Sequence, residues 1–278
     1  MILASYKIII DITKSINTNR EDNMRTVVKV GTSTLAYSTG HLNIRHMEKL
    51  CRVLSDLKNA GHEIILVSSG AVGMGMGRLS LSERPCDIVT KQAVAAVGQC
   101  ELMYTYDKFF SEYNHAIAQI LLTADDVNDD AHRENFISTI NRLLEMNVLP
   151  VINENDTVST DEFIIGDNDT LSAIVAANTG AELLILLSDI DGLFTADPRT
   201  SPNAELIETV DIISDEIEAL AGDSGSNMGT GGMITKIRAA KIATGAGCDM
   251  IIANGKDPNV LYNIIEGKPT GTKFTANK

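Results

Sequence analysis

One lysine lies inside an apolar run and is the first residue of the chain that could do chemistry. Lys29 is flanked by three valines in Val27-Val28-Lys29-Val30. Burying an ammonium group is costly unless the group meets an anion or opens into a cleft. The alternative is a lysine on an edge strand, whose long side chain reaches water. The sequence leaves open whether Lys29 binds an anion or only reaches solvent.

A second lysine ends a glycine-rich segment, Gly229-Thr230-Gly231-Gly232-Met233-Ile234-Thr235-Lys236. Glycines let main-chain N–H groups approach an anion closely, and the helix predicted over residues 237–244 would add its dipole. Lys236 would then supply a positive charge beside a phosphoryl group. The chain has neither a GxxxxGK[ST] motif nor a GxGxxG motif. A flexible surface loop without a ligand therefore stays the alternative.

An acidic block, Gly166-Asp167-Asn168-Asp169, precedes a predicted helix that begins near Thr170. A single Asp or Asn at this place caps a helix, which is the simpler interpretation. The block supplies three polar side chains where one cap is enough. Together with Asp156, it could bind the ammonium group of an amino acid or hold lysines in position.

These residues need a scaffold that brings them together, and the apolar pattern predicts one. Runs that are apolar on both faces predict strands at residues 26–30, 64–67, 116–122, 148–152, 183–187 and 250–253. Helical spacing of apolar residues predicts helices between them, for example over residues 44–57 and 136–144. This alternation is typical of an α/β fold whose largely parallel sheet is covered on both sides. Residues 157–166 are predicted to form a hairpin on that sheet, and residues 73–85 either a mobile lid or an exposed loop.

Four of the predicted strands end in small, polar or acidic residues. The four segments are Gly31-Thr32-Ser33-Thr34, Ser68-Ser69-Gly70-Ala71, Asn153-Glu154-Asn155-Asp156 and Ser188-Asp189-Ile190-Asp191-Gly192. Any one of them could be an ordinary turn. Because open parallel sheets bind ligands at the carboxyl ends of their strands, we expect all four at one binding edge.

Composition excludes several other classes of protein. The chain has 278 residues, of which 44% are hydrophobic, and 23 basic against 37 acidic side chains give a net charge of −14. That charge argues against nucleic acid as the main partner, although a local lysine can still bind a small anion. No run reaches the ~20 apolar residues that cross a bilayer. The four cysteines are far apart, and no histidine spacing suggests a metal site. We expect a cytoplasmic protein.

Taken together and in this order, the motifs resemble those of the amino acid kinase family. The matching segments are Val28-Lys29-Val30-Gly31-Thr32-Ser33, Val67-Ser68-Ser69-Gly70-Ala71-Val72, Asn153-Glu154-Asn155-Asp156, Gly166-Asp167-Asn168-Asp169, Asp191-Gly192-Leu193-Phe194-Thr195-Ala196-Asp197-Pro198-Arg199 and Gly229-Thr230-Gly231-Gly232-Met233. The resemblance begins near Met24 and implies a three-layer α/β/α sandwich around a largely parallel central sheet. It implies one kinase domain over residues 24–278, with a lobe of about residues 24–170 for glutamate and one of about residues 171–278 for ATP.

The resemblance implies ATP-dependent phosphorylation of the γ-carboxylate of L-glutamate, the first step of proline biosynthesis. It implies Mg²⁺ carried by ATP, with no metal site of the protein. The catalytic residues that it implies are Lys29, Lys236 and Asp169, the last as the residue that orients the two lysines. The glutamate-binding residues that it implies are Ser69, Gly70, Ala71, Asp156 and Asn168. The ATP-binding residues that it implies are Lys29, Ser188, Asp189, Thr230, Gly231, Gly232, Met233, Ile234, Thr235 and Lys236. Ser188 stands where a threonine is common.

The resemblance also implies inhibition by proline, a homo-oligomer (dimer or tetramer), and no membrane or nucleic-acid partner. Many relatives carry a further PUA domain of RNA-binding type, and we expect none here because the chain ends at Lys278. Residues 1–23 are expected to be a poorly ordered extension. Two alternatives stay open: a kinase of the same fold acting on another carboxylate or carbamate, such as an acetylglutamate kinase or aspartokinase, and a sensing module that has lost catalysis. The presence of both lysines and Asp169 favours an enzyme.

Overall fold

One mixed sheet organises the part of the chain that the computed structural model describes, namely residues 23–37, 41–159, 167–222 and 232–277. The eight strands in these ranges form a single sheet in the order β3-β4-β2-β1-β5-β7-β8-β6. The strands are β1 (Arg25–Val30), β2 (Glu63–Ser68), β3 (Ile117–Leu122), β4 (Leu149–Glu154), β5 (Leu183–Ser188), β6 (Thr209–Val210), β7 (Asp249–Asn254) and β8 (Thr272–Phe274). All six strands predicted from the sequence are present, each with small changes at its ends.

Helices connect these strands. They are α1 (Thr32–Leu35), α2 (Ile44–Asn59), α3 (Ala71–Arg78), α4 (Ile88–Ser111), α5 (Ala124–Asn128), α6 (Asp130–Glu145), α7 (Asn168–Thr179), α8 (Asp215–Gly222), α9 (Met233–Gly245) and α10 (Val260–Ile265). Among the described residues, no helix combines the length and the apolar composition needed to cross a membrane.

Strand register brings the predicted binding segments to one edge of the sheet. The six strands from β3 to β7 pair in parallel, whereas β8 runs antiparallel to β7. Val30, the last residue of β1, lies beside Ser68 on β2 and Leu187 on β5. Because these strands all point the same way, the residues that follow them meet at their carboxyl ends.

Helices cover both faces of the sheet, as predicted for a three-layer sandwich. On one face, α6 and α7 pack onto the strands through Ile140 and Leu171. On the other face, α2 and α4 do so through Leu50 and Tyr106. The central strands are therefore buried on both sides, which explains why their sequences are apolar without alternation.

The loop expected over residues 73–85 is wrong for its first half, because α3 continues to Arg78 and packs closely against α4. A Cβ atom added to Gly75 would lie 1.9 Å from the Val94 carbonyl oxygen, and one added to Gly98 would lie 1.8 Å from the Ala71 carbonyl oxygen. Glycine at both positions thus lets the two helix backbones touch. Residues 73–78 are therefore helical and not a loop, and the mobile lid over residues 73–85 stays a prediction.

Several predictions fall partly or wholly on residues outside the described ranges. These are the extension over residues 1–23, of which only Asn23 is described, most of the hairpin over residues 157–166, and Gly229, Thr230 and Gly231 of the glycine-rich segment.

Candidate active site

Asp167 alone caps helix α7, which leaves its two neighbours for other contacts. The Asp167 carboxylate accepts a hydrogen bond from the Thr170 main-chain N–H at 2.8 Å and a second from Thr170 Oγ1 at 3.0 Å. Burial raises the pKa of the Asp167 carboxyl, and the bonds from Thr170 oppose that rise. The first residues of α7, Asn168 and Asp169, are therefore not needed as caps.

Asp169 pairs with both predicted lysines. Lys29 Nζ lies 2.6 Å from Asp169 Oδ1, and Lys236 Nζ lies 3.0 Å from Asp169 Oδ2. Asp169 is only 1% exposed and Lys29 8%. Burial by itself would raise the pKa of the Asp169 carboxyl, but the two ammonium groups outweigh it and lower this pKa to about 2. These three groups have a formal net charge of +1, and the neighbouring carboxyl of Asp167 also interacts electrostatically with Lys29 and Asp169.

Lys29 reaches this cluster from the middle of the sheet. Strand β1 lies between β2 and β5, so the edge-strand interpretation of Lys29 is wrong. Lys236 comes from the first turn of α9, and Thr235 Oγ1 of the same turn lies 3.0 Å from Asp169 Oδ2. Residues more than 200 positions apart in the sequence thus meet at one carboxylate, as the two lysines and Asp169 were expected to do.

Asn168 leads into a network of neutral side chains. Its Nδ2 donates to Ser69 Oγ at 2.8 Å and to Asn153 Oδ1 at 3.0 Å. Asn153 Nδ2 donates in turn to Gln99 Oε1 at 2.9 Å. Gln99 and Asn153 are both buried. Sequence reasoning missed Gln99, although a glutamine on the apolar side of α4 was a signal that could have marked it.

The first of two clefts at this edge of the sheet is polar and lies beside Asn168. Four of the predicted substrate residues line it, namely Ser69, Gly70, Asp156 and Asn168. Gly70 has φ +112°, a left-handed conformation that favours glycine, and it ends the turn that starts α3. Ala71 is buried as the first residue of that helix rather than lining the cleft.

Two basic residues that the sequence did not single out also line this first cleft. Arg84 and Lys91 line the cleft together with Asp156. Burial raises the pKa of the Asp156 carboxyl, and the positive charges of Lys91 and Arg84 oppose that rise. The cleft thus offers carboxylate, amide and cationic groups together. A small molecule with both an ammonium and carboxylate groups fits that chemistry.

The second cleft is more apolar and lies on the side of Lys236. Predicted residues that line it are Ser188, Asp189, Gly232, Met233 and Lys236. Its other walls include the apolar side chains of Ile190, Leu193 and Phe194, which belong to the quoted motifs, and that of Leu220, which the sequence did not single out. Ile234 is 54% exposed and does not line this cleft, and Thr235 turns to Asp169 instead. Thr230 and Gly231 lie outside the described residues.

The start of α9 suits a phosphate group. Its N-cap residue Gly232 has no side chain to cap the helix, and a helix N-terminus attracts anions through its N–H groups and its dipole. Apolar walls beside such a site suit a nucleotide base. Within the described ranges, no group of three or more His, Cys, Asp or Glu side chains is arranged to hold a metal ion.

Comparison with known proteins places the chain among kinases of small molecules. Residues 24–254 match the model of the amino acid kinase family. The chain is 52% identical over 262 residues to the glutamate 5-kinase of Clostridium perfringens. This alignment covers 93% of this chain and 97% of that protein. The chain is 54% identical over 258 residues to the glutamate 5-kinase of Clostridium tetani, with the same coverage.

Solved structures of lower identity share the fold. UMP kinase from Bacillus anthracis superposes with a TM-score of 0.65 at 16% identity, over 92% of this chain and 97% of that one. Carbamate kinase from Giardia lamblia bound to AMP-PNP superposes with a TM-score of 0.65 at 17% identity, over 92% and 99%. At such low identities, the likeness concerns the fold alone.

Proposed function

The chain belongs to the amino acid kinase family, and from that premise we propose that it transfers the γ-phosphoryl group of ATP to the γ-carboxylate of L-glutamate. The observation that carries this proposal is the buried cluster of Lys29, Asp169 and Lys236 between two clefts of different chemistry. Two relatives that share 52% and 54% of their residues with this chain are named glutamate 5-kinase, which supports glutamate as the acceptor. The product is the acyl phosphate, L-glutamyl 5-phosphate, which is the first intermediate of proline biosynthesis.

The acceptor needs no general base. A γ-carboxylate oxygen is already a nucleophile, so it forms a bond to the γ-phosphorus while the bond from that phosphorus to the β–γ bridging oxygen breaks. The electron pair of the broken bond goes to ADP, and no proton is transferred. The difficulty is electrostatic, because two anions must approach and charge must build up on the leaving oxygen.

Lys29 and Lys236 address that difficulty. The cluster they form with Asp169 has a net charge of +1 in a buried position, where a positive charge stabilises transferring phosphoryl groups far better than in water. Asp169 fixes the separation of the two ammonium groups, so little reorganisation is needed when the substrates bind. One such preorganised interaction contributes roughly 3–4 kcal/mol to the stabilisation of a transition state.

The second cleft is proposed to bind ATP. The apolar side chains of Leu193, Phe194 and Leu220 suit the base, and Ser188, Asp189 and the N-terminus of α9 suit the phosphates. Mg²⁺ would be held mainly by the phosphates of ATP, and it would neutralise part of their charge. The described residues fit that arrangement, since the carboxylate of Asp169 is already paired with lysines.

The first cleft is proposed to bind glutamate. Asp156 and the carbonyl oxygen of Asn168 suit the ammonium group, and the N-terminus of α3 at Gly70 suits the γ-carboxylate. The cationic side chains of Arg84 and Lys91 suit the α-carboxylate of glutamate. Burial of Asp156 raises its pKa, so an ammonium group beside it gains most when the pH is high enough to keep that carboxylate ionised.

The proposal is tested by measuring ADP release with a panel of acceptors, including L-glutamate, L-aspartate, N-acetyl-L-glutamate and carbamate. We expect turnover with L-glutamate and a hydroxamate of the γ-carboxyl when hydroxylamine traps the product. Turnover with another acceptor alone would assign a different carboxylate or carbamate kinase. Binding of glutamate and ATP without ADP release would instead indicate a sensing module.

Inhibition by proline and assembly into a dimer or tetramer stay predictions of the family resemblance. The same assay with added L-proline tests the first, and sedimentation of the full chain tests the second. Removal of Mg²⁺ by a chelator is expected to abolish ADP release without unfolding the protein.

A further inference from the structure

Gln99 lies at the far end of a chain of three amide side chains that reaches the polar cleft. Its Oε1 accepts a hydrogen bond from Asn153 Nδ2 at 2.9 Å, and Asn153 Oδ1 accepts one from Asn168 Nδ2 at 3.0 Å. Asn168 lines the cleft. Gln99 is itself buried and does not line the cleft, whereas Asn153 and Asn168 both do, so its effect on a ligand would pass through these asparagines.

Each amide in this chain fixes the orientation of the next. An asparagine has a donor on one side and an acceptor on the other, and the two ends look alike in size. Because Gln99 offers an oxygen, Asn153 must turn its NH₂ group towards α4 and its oxygen towards Asn168. That oxygen then requires a donor, so Asn168 turns its NH₂ group inwards. Asn168 Nδ2 also donates to the main-chain carbonyl oxygen of Ser68 at 3.4 Å, which can only accept and so favours the same orientation, and to Ser69 Oγ at 2.8 Å.

The acceptor left over is the carbonyl oxygen of Asn168. Asn168 Oδ1 is buried and has no hydrogen-bond partner among the described residues. A buried acceptor without a partner costs about 1–3 kcal/mol, so native proteins rarely keep one unless something else supplies the donor. An ammonium group in the cleft is a donor of the right kind.

We propose that Gln99 is a positioning residue for the acceptor substrate: its side-chain oxygen orients the amides of Asn153 and Asn168 so that Asn168 Oδ1 is presented to the substrate's ammonium group. This inference rests on the proposed function for the identity of the ligand. The orientation of the amides is independent of it.

The helix that carries Gln99 is held in place next to it. Gly98 precedes Gln99 and lies against the backbone of α3, where an added Cβ atom would be 1.8 Å from the Ala71 carbonyl oxygen. Helix α3 begins at the Gly70 turn that lines the cleft. The position of Gln99 is therefore fixed relative to the cleft by direct backbone contact between the two helices.

Two substitutions of Gln99 separate positioning from simple packing. Gln99→Met keeps the length of the side chain but has no strong acceptor, whereas Gln99→Glu keeps a carbonyl acceptor in either protonation state. We expect Gln99→Met to raise the KM for glutamate about tenfold, as expected for one lost oriented hydrogen bond to a charged group, with the KM for ATP within about twofold of wild type. We expect Gln99→Glu to keep the KM for glutamate within about threefold of wild type.

Three results would overturn the inference: a wild-type KM for glutamate in Gln99→Met, equal impairment of both variants, or a parallel rise of the KM for ATP. Nuclear magnetic resonance on the wild-type protein supplies a test that needs neither turnover nor a variant. Nuclear Overhauser contacts are expected between the Asn168 NH₂ protons and the Ser69 β-protons, and between the Asn153 NH₂ protons and the Gln99 side chain. Their absence would refute the proposed orientation even if the protein phosphorylates glutamate, whereas absence of glutamate turnover alone would refute the proposed function.

Discussion

Two adjacent residues at the start of helix α7 lead into networks of opposite character. Asp169 joins two ammonium groups, those of Lys29 and Lys236, in a buried cluster of charges. Asn168 joins only neutral groups, and its network extends through Asn153 to Gln99. The three charged residues are buried, and so are Gln99 and Asn153, whereas Asn168 is half-buried at the cleft, so the main difference between the networks is one of charge.

The difference matches two tasks at one site. Coulomb interactions fall off slowly with distance and depend little on angle, so a charged cluster can follow charge that moves from one oxygen to another. The NH₂ end of an amide side chain donates hydrogen bonds and its oxygen accepts them, so an oriented network of amides discriminates between donor and acceptor groups of a ligand. The charged network suits phosphoryl transfer, and the neutral network suits recognition of the acceptor.

The largest expected effect is on the charged network. Lys29→Met and Lys236→Met each remove one positive charge beside the transferring phosphoryl group, so kcat should fall about 10²–10³-fold, which corresponds to roughly 3–4 kcal/mol. Initial rates of ADP release at saturating glutamate and ATP measure this loss. Circular dichroism should show both variants folded.

The matched control for Lys236→Met is Lys241→Met. Lys241 lies on the same helix α9, but its ammonium group pairs with Glu218 at the surface. Its removal should leave kcat within about twofold of wild type, because exposed ion pairs contribute little. Near-normal turnover in either of the first two variants would remove that lysine from the proposed mechanism.

Acid should weaken the charged network and not the neutral one. The pKa of Asp169 is lowered to about 2 in the folded protein, from 3.8 for an unperturbed carboxyl. A lowered pKa contributes stability that is complete above about pH 4 and is lost as the pH falls towards 2, about 2 kcal/mol in all. Urea unfolding of the wild type and of Asp169→Asn from pH 5 to pH 3 should therefore converge by about 1 kcal/mol.

The comparison with Asp169→Asn isolates this one carboxylate, because all other acidic groups titrate in both proteins. If the free energies of unfolding of the two proteins changed in parallel with pH, Asp169 would not be paired with Lys29 and Lys236 in the protein in solution. The same experiment on Gln99→Met is a second control, since no member of the amide network titrates in this range. Its curve should run parallel to that of the wild type.

Much of the charged network could be predicted from the sequence, and little of the neutral one. Lys29 stood out because burying its ammonium group in an apolar run is costly without a partner, and Lys236 stood out because it follows a glycine-rich segment. The alternation of apolar strands and helices predicted the sheet that joins them, and the fold and the family are confirmed. The roles of the individual site residues stay predictions.

Gln99 and Leu220, which lines the second cleft, show why the rest was missed. Gln99 lies on the apolar side of its helix, which could have marked it as buried, but the partner of its side chain is 54 positions away and cannot be read from the sequence. Leu220 looks like an ordinary core residue in the sequence, although it lines the second cleft. Contacts between such distant residues depend on helix packing, here on the close approach at Gly75 and Gly98, which no local pattern indicates.

A smaller effect is expected at the near end of the neutral network. Ser69→Ala removes the hydroxyl that accepts from Asn168 Nδ2, so this amide group loses one of its three hydrogen-bond partners and keeps Asn153 and the Ser68 carbonyl oxygen. The KM for glutamate should rise about fivefold, in line with one neutral hydrogen bond, and kcat should change less. Ser111→Ala, at the exposed end of α4, is the matched control. A fall in kcat like that of the lysine variants would mean that both networks serve the transition state, and the division of tasks would be wrong.

The smallest effect marks where the neutral network ends. Tyr106 lies fully buried on α4, and its hydroxyl lies 2.8 Å from Ser68 Oγ, one residue before Ser69. Tyr106→Phe keeps the ring in the core and removes that hydrogen bond, so it should cost about 1 kcal/mol and lower Tm by about 2 °C. Tyr104→Phe, on the same helix but 65% exposed, should change neither quantity. The KM for glutamate should stay at the wild-type value in both variants, because Ser68 keeps its contact with the Ser69 carbonyl oxygen. If Tyr106→Phe instead raised this KM as much as Ser69→Ala, recognition of the acceptor would extend through Ser68 into the core, and the neutral network would be larger than its amides.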